Sequence, residues 1–407
     1  MYMKGIARFF TLYWIIYFPT CIAYNDLPGF SSIDEMMTII LFLFTLLMYR
    51  KRYINRRPLK EYLVCLSIIA FYFVYSLFWG ANVLGGILLD LMQEVRPYTI
   101  IFCTWILNPQ FSKKQKKWML ATMVLTLASW IIYHPDSIEN RSAEFPVLGQ
   151  LAICTGMSWY LLTKQTKLNR NIALLLVLIG MIAPKFKFMG EVVCFIAFIY
   201  FLKKRLNFRS PKTILYCTVI VTIVLTVTWT RFDAYYVTGL SNEGMARPMT
   251  YKTSLKILSD YIPFGPGMGT FACNGAWKFY SPLYYKYNLN GIWGMSDASL
   301  GSGCFICDSY YPSLAQFGIV GVFFFLWFWK RRFKEINVIQ DMRYYRVAMI
   351  TVCCLAIEQT ADSSWLSGKG MGYCMLLALC LNANRNMMIE RQRQTAATAS
   401  EQAENTK

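Results

Sequence analysis

Residues 307–334 read CDSYYPSLAQFGIVGVFFFLWFWKRRFK. An acid opens the stretch, an apolar and aromatic run fills it, and a cluster of Lys and Arg closes it. The run is close to the roughly 17–25 residues that a bilayer crossing requires. It lacks the period-two alternation of a strand, so its backbone groups must be satisfied within a helix. A basic cluster at one end of such a helix marks the cytoplasmic side.

The same pattern recurs on both sides of this stretch. Apolar runs cover 6–24, continue to 49, and resume over 61–79. Further runs extend from Arg96 to the KKQKK cluster, to 133, to the TKQTKLNR cluster, to Pro184, to the KKRLNFRSPK cluster and to 230. After 334 two more end near 358 and 381, which gives about 12 spans with both termini inside. ANVLGGILLDLMQEVR, 81–96, reads as an amphipathic segment at the outer surface. In this topology most of the 41 Lys and Arg fall on the cytoplasmic side and most of the 22 acids on the other. The predicted fold is all-α, a polytopic transmembrane helical bundle with one long periplasmic loop containing short helices. Its divisions are spans 1–9 over 1–230, the loop over 231–309, spans 10–12 over 310–383, and a disordered cytoplasmic tail over 384–407.

Composition agrees with this reading. The 407-residue chain is 56% hydrophobic and 17% aromatic, with a mean hydropathy of +0.37. A net charge of +19 could indicate nucleic acid. Here the cations sit in short clusters between apolar runs, so the partner is the lipid bilayer and not nucleic acid. Most of the 13 cysteines lie in apolar runs, where a thiol behaves as a small hydrophobe. The first run lacks a small-residue cleavage site and reads as a span, not a signal peptide.

Several ionisable residues converge on the outer face: Arg96, Lys185, Lys187, Glu191, Arg247 and Asp308. Cations placed against the positive-inside trend suit an anionic ligand, for which Arg offers a planar fork and Lys a point charge. As single residues they equally suit interfacial anchoring. Asp308, at the mouth of a span, suits either a helix cap or a general base. FGPGMG, 264–269, is a lone glycine motif. It fits a tight turn ending the helix of Arg247 and Tyr251 better than a phosphate-cradling loop centred on Gly267. WKFYSPLYYKY, 277–287, suits sugar stacking or a lid at the membrane interface. Cys273, Cys304 and Cys307 could supply a disulfide in a periplasm. The spacing Cys304-x-x-Cys307 lacks a second ligand pair for zinc, and His134 is the only histidine.

The order of these features over about 170–330 resembles the O-antigen polymerase and ligase superfamily of membrane glycosyltransferases. A basic residue follows a mid-chain span in PKFKFMGE; an Arg-headed helix follows in ARPMTYKTSLKIL; then come the turn PFGPGMGTF, a polar residue, and an aromatic and Leu-rich helix ending in FGIVG. The resemblance implies an undecaprenyl-diphosphate-linked glycan donor, a glycan acceptor, a chain-length regulator protein as partner, and no cofactor or metal. It implies catalysis by Arg247, Lys187 and Asp308, with Arg96, Lys185, Tyr251 and Gly267 binding substrate. It places the protein in the bacterial inner membrane with the site facing the periplasm. Where the ligase branch carries His-Asn, this chain carries Asp308-Ser309, which favours a polymerase building O-antigen or exopolysaccharide over a ligase acting on lipid A core or protein. A lipid-linked oligosaccharide flippase is the rival from another class. It would show paired halves and cations deep within spans, neither of which is seen.

Overall fold

The computed structural model describes residues 2–26, 32–49, 55–134, 145–182, 185–241, 244–297 and 302–388. Helices account for the regular structure, and no strand occurs among the described residues. Among the described residues four helices are long and apolar enough to cross a membrane: Lys4–Ala23, Arg56–Trp79, Pro211–Tyr236 and Tyr311–Asn337. Part of the predicted basic loop, 50–54, and most of the predicted outer loop, 135–144, lie outside the described residues, as does the tail over 389–407.

The helices fall where the apolar runs predict them. They are α1 (Tyr2–Asp26), α2 (Ile33–Tyr49), α3 (Arg56–Trp79), α4 (Leu84–Leu107) and α5 (Lys113–Tyr133). Next come α6 (Phe145–Leu162), α7 (Lys167–Ile179), α8 (Phe186–Ile196) and α9 (Pro211–Tyr236). A smaller folded unit carries α10 (Ala246–Asp260), α11 (Asn274–Lys278) and α12 (Leu283–Lys286). The chain closes with α13 (Gly318–Asn337), α14 (Met342–Glu358) and α15 (Met371–Leu381). α15 sits at the centre, with every residue from Met371 to Leu381 buried, as a helix that is apolar all round should be. The opposite case is α9, which has no buried residue.

Three boundaries differ from expectation. The segment 81–96 is not a separate surface helix; its residues from Leu84 onward are the first half of α4. Its acids misled the reading, because Asp90 and Glu94 are both buried. α9 runs six residues past the expected end, to Tyr236. The expected tail begins in order: residues 383–388 are helical, and Asn384 Nδ2 donates to the Val338 carbonyl at 2.7 Å.

The unit between α9 and α13 has its own small core, built around Ile257, Phe271, Tyr284 and Met295. It docks on the α3–α4 hairpin through the glycine turn. Gly265, Gly267 and Gly269 all have positive φ, at 78°, 95° and 74°, a region that side-chain-bearing residues rarely enter. The turn's amides point into protein. Gly267 N–H donates to the Gln316 carbonyl at 3.0 Å, Met268 N–H to Ser76 Oγ at 2.7 Å, and Gly269 N–H to Asp90 Oδ2 at 3.0 Å. Gly267, expected to bind substrate, is buried with its amide bonded to Gln316. The turn is buried, and its donors already serve the fold.

A Cβ at position 269 would lie 2.6 Å from the Gly86 carbonyl oxygen, with φ still at +74°. Gly269→Ala should therefore lose roughly 1–3 kcal/mol, seen as a lower unfolding temperature in lipid nanodiscs. Gly5→Ala, where nothing lies within 4 Å, should leave that temperature unchanged or slightly raised.

Candidate anion-binding site

The turn over 359–370, between α14 and α15, gathers most of the residues singled out above. Its backbone reaches the loop unit. The Thr360 carbonyl accepts from Tyr251 Oη at 3.0 Å and from Tyr236 Oη at 2.7 Å. Tyr310 N–H donates to the Gln359 carbonyl at 3.1 Å, and Ser363 Oγ donates to the Cys307 carbonyl at 2.5 Å.

Its side chains reach α6, α8 and α14. Lys187, on the first turn of α8, donates to Glu358 Oε2 at 2.6 Å and to Asp362 Oδ2 at 2.8 Å. Lys369 pairs with the same Asp362 oxygen at 3.1 Å. Ser364 Oγ donates to Glu358 at 2.9 Å and accepts from Gln150 Nε2 at 2.7 Å. Two flanking lysines hold the Asp362 carboxyl far below its ordinary pKa despite burial, which pushes the other way. Deeper in the bundle, Glu191 accepts from Tyr373 Oη at 3.2 Å.

Across from this cluster, Arg247 Nε donates to Asp308 Oδ2 at 2.9 Å, and Nη2 meets the same oxygen. The guanidinium also lies 4.4 Å from the Tyr235 ring centroid. Asp308 thus gives its carboxylate to Arg247. Burial raises its pKa, Arg247 opposes the rise without cancelling it, and Asp362 adds to it. Lys185 stands at the entrance to α8. Burial lowers its pKa first, and the neighbouring charges of Lys187 and Arg231 lower it further. Asp308 pulls the other way, so Lys185 sits among charges of both signs.

The structure therefore brings Arg247, Asp308, Lys187, Lys185 and Tyr251 together and leaves Arg96 and Gly267 elsewhere. Arg96 lies on the far side of the same turn, 2% exposed. It pairs with Asp34 at 2.7 Å and also with Glu35, and it donates to the Leu366 carbonyl. Expected against a diphosphate, Arg96 here forms an internal ion pair joining α2, α4 and the turn. Cys273, Cys304 and Cys307 are free thiols, so the disulfide is absent. Burial pushes the Cys307 thiol up to about 12, which keeps it protonated.

The sequence reading missed Asp362, Glu358, Lys369 and Arg231. Their signal lay in charge of opposite sign on one predicted face: an acidic turn, EQTAD, facing cations that broke the positive-inside trend. The Asp34–Glu35 pair gave the same signal for Arg96. No family model matches this chain, and neither does any curated protein.

Arg96→Met strands two carboxylates in a buried setting, and breaking such a pair costs roughly 3–5 kcal/mol. The variant should lose most of its monodisperse yield in detergent. Adding Asp34→Asn and Glu35→Gln should recover part of that yield. Failure to recover any would show that Arg96 does more than balance these acids.

Proposed function

We propose that this protein polymerises undecaprenyl-diphosphate-linked oligosaccharide repeats at the periplasmic face of a bacterial inner membrane. In this reading about 12 helices cross the bilayer, both termini are cytoplasmic, and residues 231–309 are periplasmic. The observation that carries the reading is the convergence of Arg247, Lys185 and Lys187 around Asp308 at one mouth of an apolar bundle. Such a group meets a lipid-linked diphosphate where it leaves the membrane.

The chemistry follows from charge. Transfer breaks the bond between the donor sugar's anomeric carbon and a diphosphate oxygen. The departing diphosphate gains negative charge, which fixed cations stabilise more in the transition state than in the ground state. Arg247 offers paired donors and Lys187 a point charge. Asp308 accepts the proton of the acceptor sugar's hydroxyl as the new glycosidic bond forms. It must be ionised and released from Arg247 to do so, and an incoming diphosphate competes for that same guanidinium.

Arg247→Ala should reduce polymerisation by at least about 10²-fold, with the long surface-glycan ladder lost and single repeats still delivered to their final acceptor. Wild-type ladder length in a correctly inserted variant would sink the assignment. If long glycan instead accumulates on the lipid carrier, the enzyme is a ligase. If single repeats accumulate on the inner leaflet, it is a flippase.

The pH dependence has a defined sign. Asp308 works only when deprotonated, and its pKa lies above the ordinary aspartate value. Activity should be full above that raised pKa and fall as pH drops through it. The acid limb should therefore appear at higher pH than an unperturbed carboxyl near ~3.9 gives. In vitro polymerisation from purified lipid-linked repeats across pH 4–8 tests this. A flat profile down to pH 4 would remove Asp308 from the role of base.

A further inference from the structure

The aromatic run over 277–287 is left out of the site just described, and the structure divides it into two halves. Three of its four tyrosines bond within the unit, whereas Tyr285 is 48% exposed. Tyr280 Oη donates to the Met295 carbonyl at 2.8 Å. Tyr284 Oη accepts from Ala272 N–H at 3.1 Å, and Tyr287 Oη donates to Asp260 at 2.7 Å. The other half turns outward. Trp277 and Phe279 are 42% and 40% exposed, and Lys278 between them is exposed as well.

The depth of these three residues is fixed by α11. Asn82, in the α3–α4 turn, donates to the Gly269 carbonyl and to the Gly275 carbonyl, the latter at 3.4 Å. Ala81 N–H donates to the Pro266 carbonyl at 3.0 Å. The Phe279 ring lies against Gly85, where an added Cβ would come within 2.5 Å of it. α11 is thus clamped level with the end of α3, and α3 is long and apolar enough to span a membrane. Phe78 and Trp79, at that end, are 73% and 71% exposed, and Val83 and Leu84 follow at 57% and 56%. Phe279 therefore lies on Gly85, next to exposed Val83 and Leu84, and the neighbouring Trp277 ring packs against Gly303, where an added Cβ would come within 2.5 Å of it.

We propose that Trp277, Lys278 and Phe279 form an interfacial anchor seated in the lipid headgroups of the leaflet where α3 ends. Aromatic rings with one apolar body and a polar edge prefer that depth. The Lys278 ammonium reaches lipid phosphate while its stem lies along apolar surface. The occupant is lipid and not glycan, because Phe279 packs beside the end of a helix long and apolar enough to span, and the hydroxyls of Tyr280, Tyr284 and Tyr287 are already bonded. The anchor holds the folded unit flat on the bilayer. It does not depend on the polymerase reading, since it requires only that α3 cross a membrane.

The test uses the full chain labelled with 5-fluorotryptophan in nanodiscs of phosphatidylethanolamine and phosphatidylglycerol. The Trp277 resonance is assigned by its disappearance in both Trp277→Phe and Trp277→Tyr, so that one misfolded variant cannot mislead. A nitroxide placed high on the lipid chains should broaden the Trp277 and Trp79 signals to loss. A water-soluble gadolinium chelate should leave both largely intact, and buried Trp365 should respond to neither. Loss of the Trp277 signal to gadolinium but not to the lipid nitroxide would overturn the anchor. A Trp277 shift with added soluble oligosaccharide and none with lipid nitroxide would overturn it in favour of sugar stacking.

Discussion

A lysine at the mouth of an apolar helical bundle cannot keep its charge without partners, because the surroundings do not solvate it. Lys187 finds two, Glu358 at the end of α14 and Asp362 in the turn that follows. Much else depends on that arrangement. It ties α8 to α14, and it gives the 359–370 turn a fixed shape just before the fully buried α15. Once the turn is fixed, its carbonyls at 359 and 360 become docking points for Tyr310, Tyr236 and Tyr251. Arg247 sits one helical turn before Tyr251 on α10, so its position follows from the same lysine.

The loop unit has a second attachment, the glycine turn on the α3–α4 hairpin. One anchor would leave the unit free to pivot; two, on opposite sides of it, set its orientation. A functional constellation needs this support, since a side chain is only as well placed as the elements behind it. Asp90 shows how costly the support is. A buried carboxylate is tolerated there because it accepts from the Gly269 amide, and the amide in turn requires a backbone conformation suited to glycine.

The helices were legible in the sequence because lipid allows a spanning segment few alternatives, and long apolar runs report that directly. What was not legible was pairing between distant segments. Asp90 and Glu94 gave 81–96 the polar rhythm of a surface helix, since nothing local says that a glycine turn almost 180 residues later covers Asp90. Arg96 and Lys187 looked alike in sequence, both being cations on a predicted outer face. They differ in the acids that meet them: Asp34 and Glu35 enclose Arg96, whereas Asp362 shares its charge between Lys187 and Lys369 at a partly open position. Arg247 and Tyr251 lie near the start of the predicted loop and Asp308 at its end, and only the predicted topology put all three on one face.

The carboxylates among the cations bear on the proposed chemistry. A cluster of Arg and Lys with no counter-charge would be unstable when empty and would hold a diphosphate too tightly to release it. Asp308 and Asp362 supply the counter-charge in the resting protein. In the proposed reaction an arriving diphosphate would exchange one set of anions for another, so its ground-state binding would be moderate. Charge that develops on the leaving oxygen has no resting equivalent, and there the cations act without competition. Weak binding of the ground state with strong binding of the transition state is the condition for rapid turnover. In the proposed reaction the same exchange would free Asp308 from Arg247 at the moment when a base is required, which would couple donor binding to activation of the acceptor.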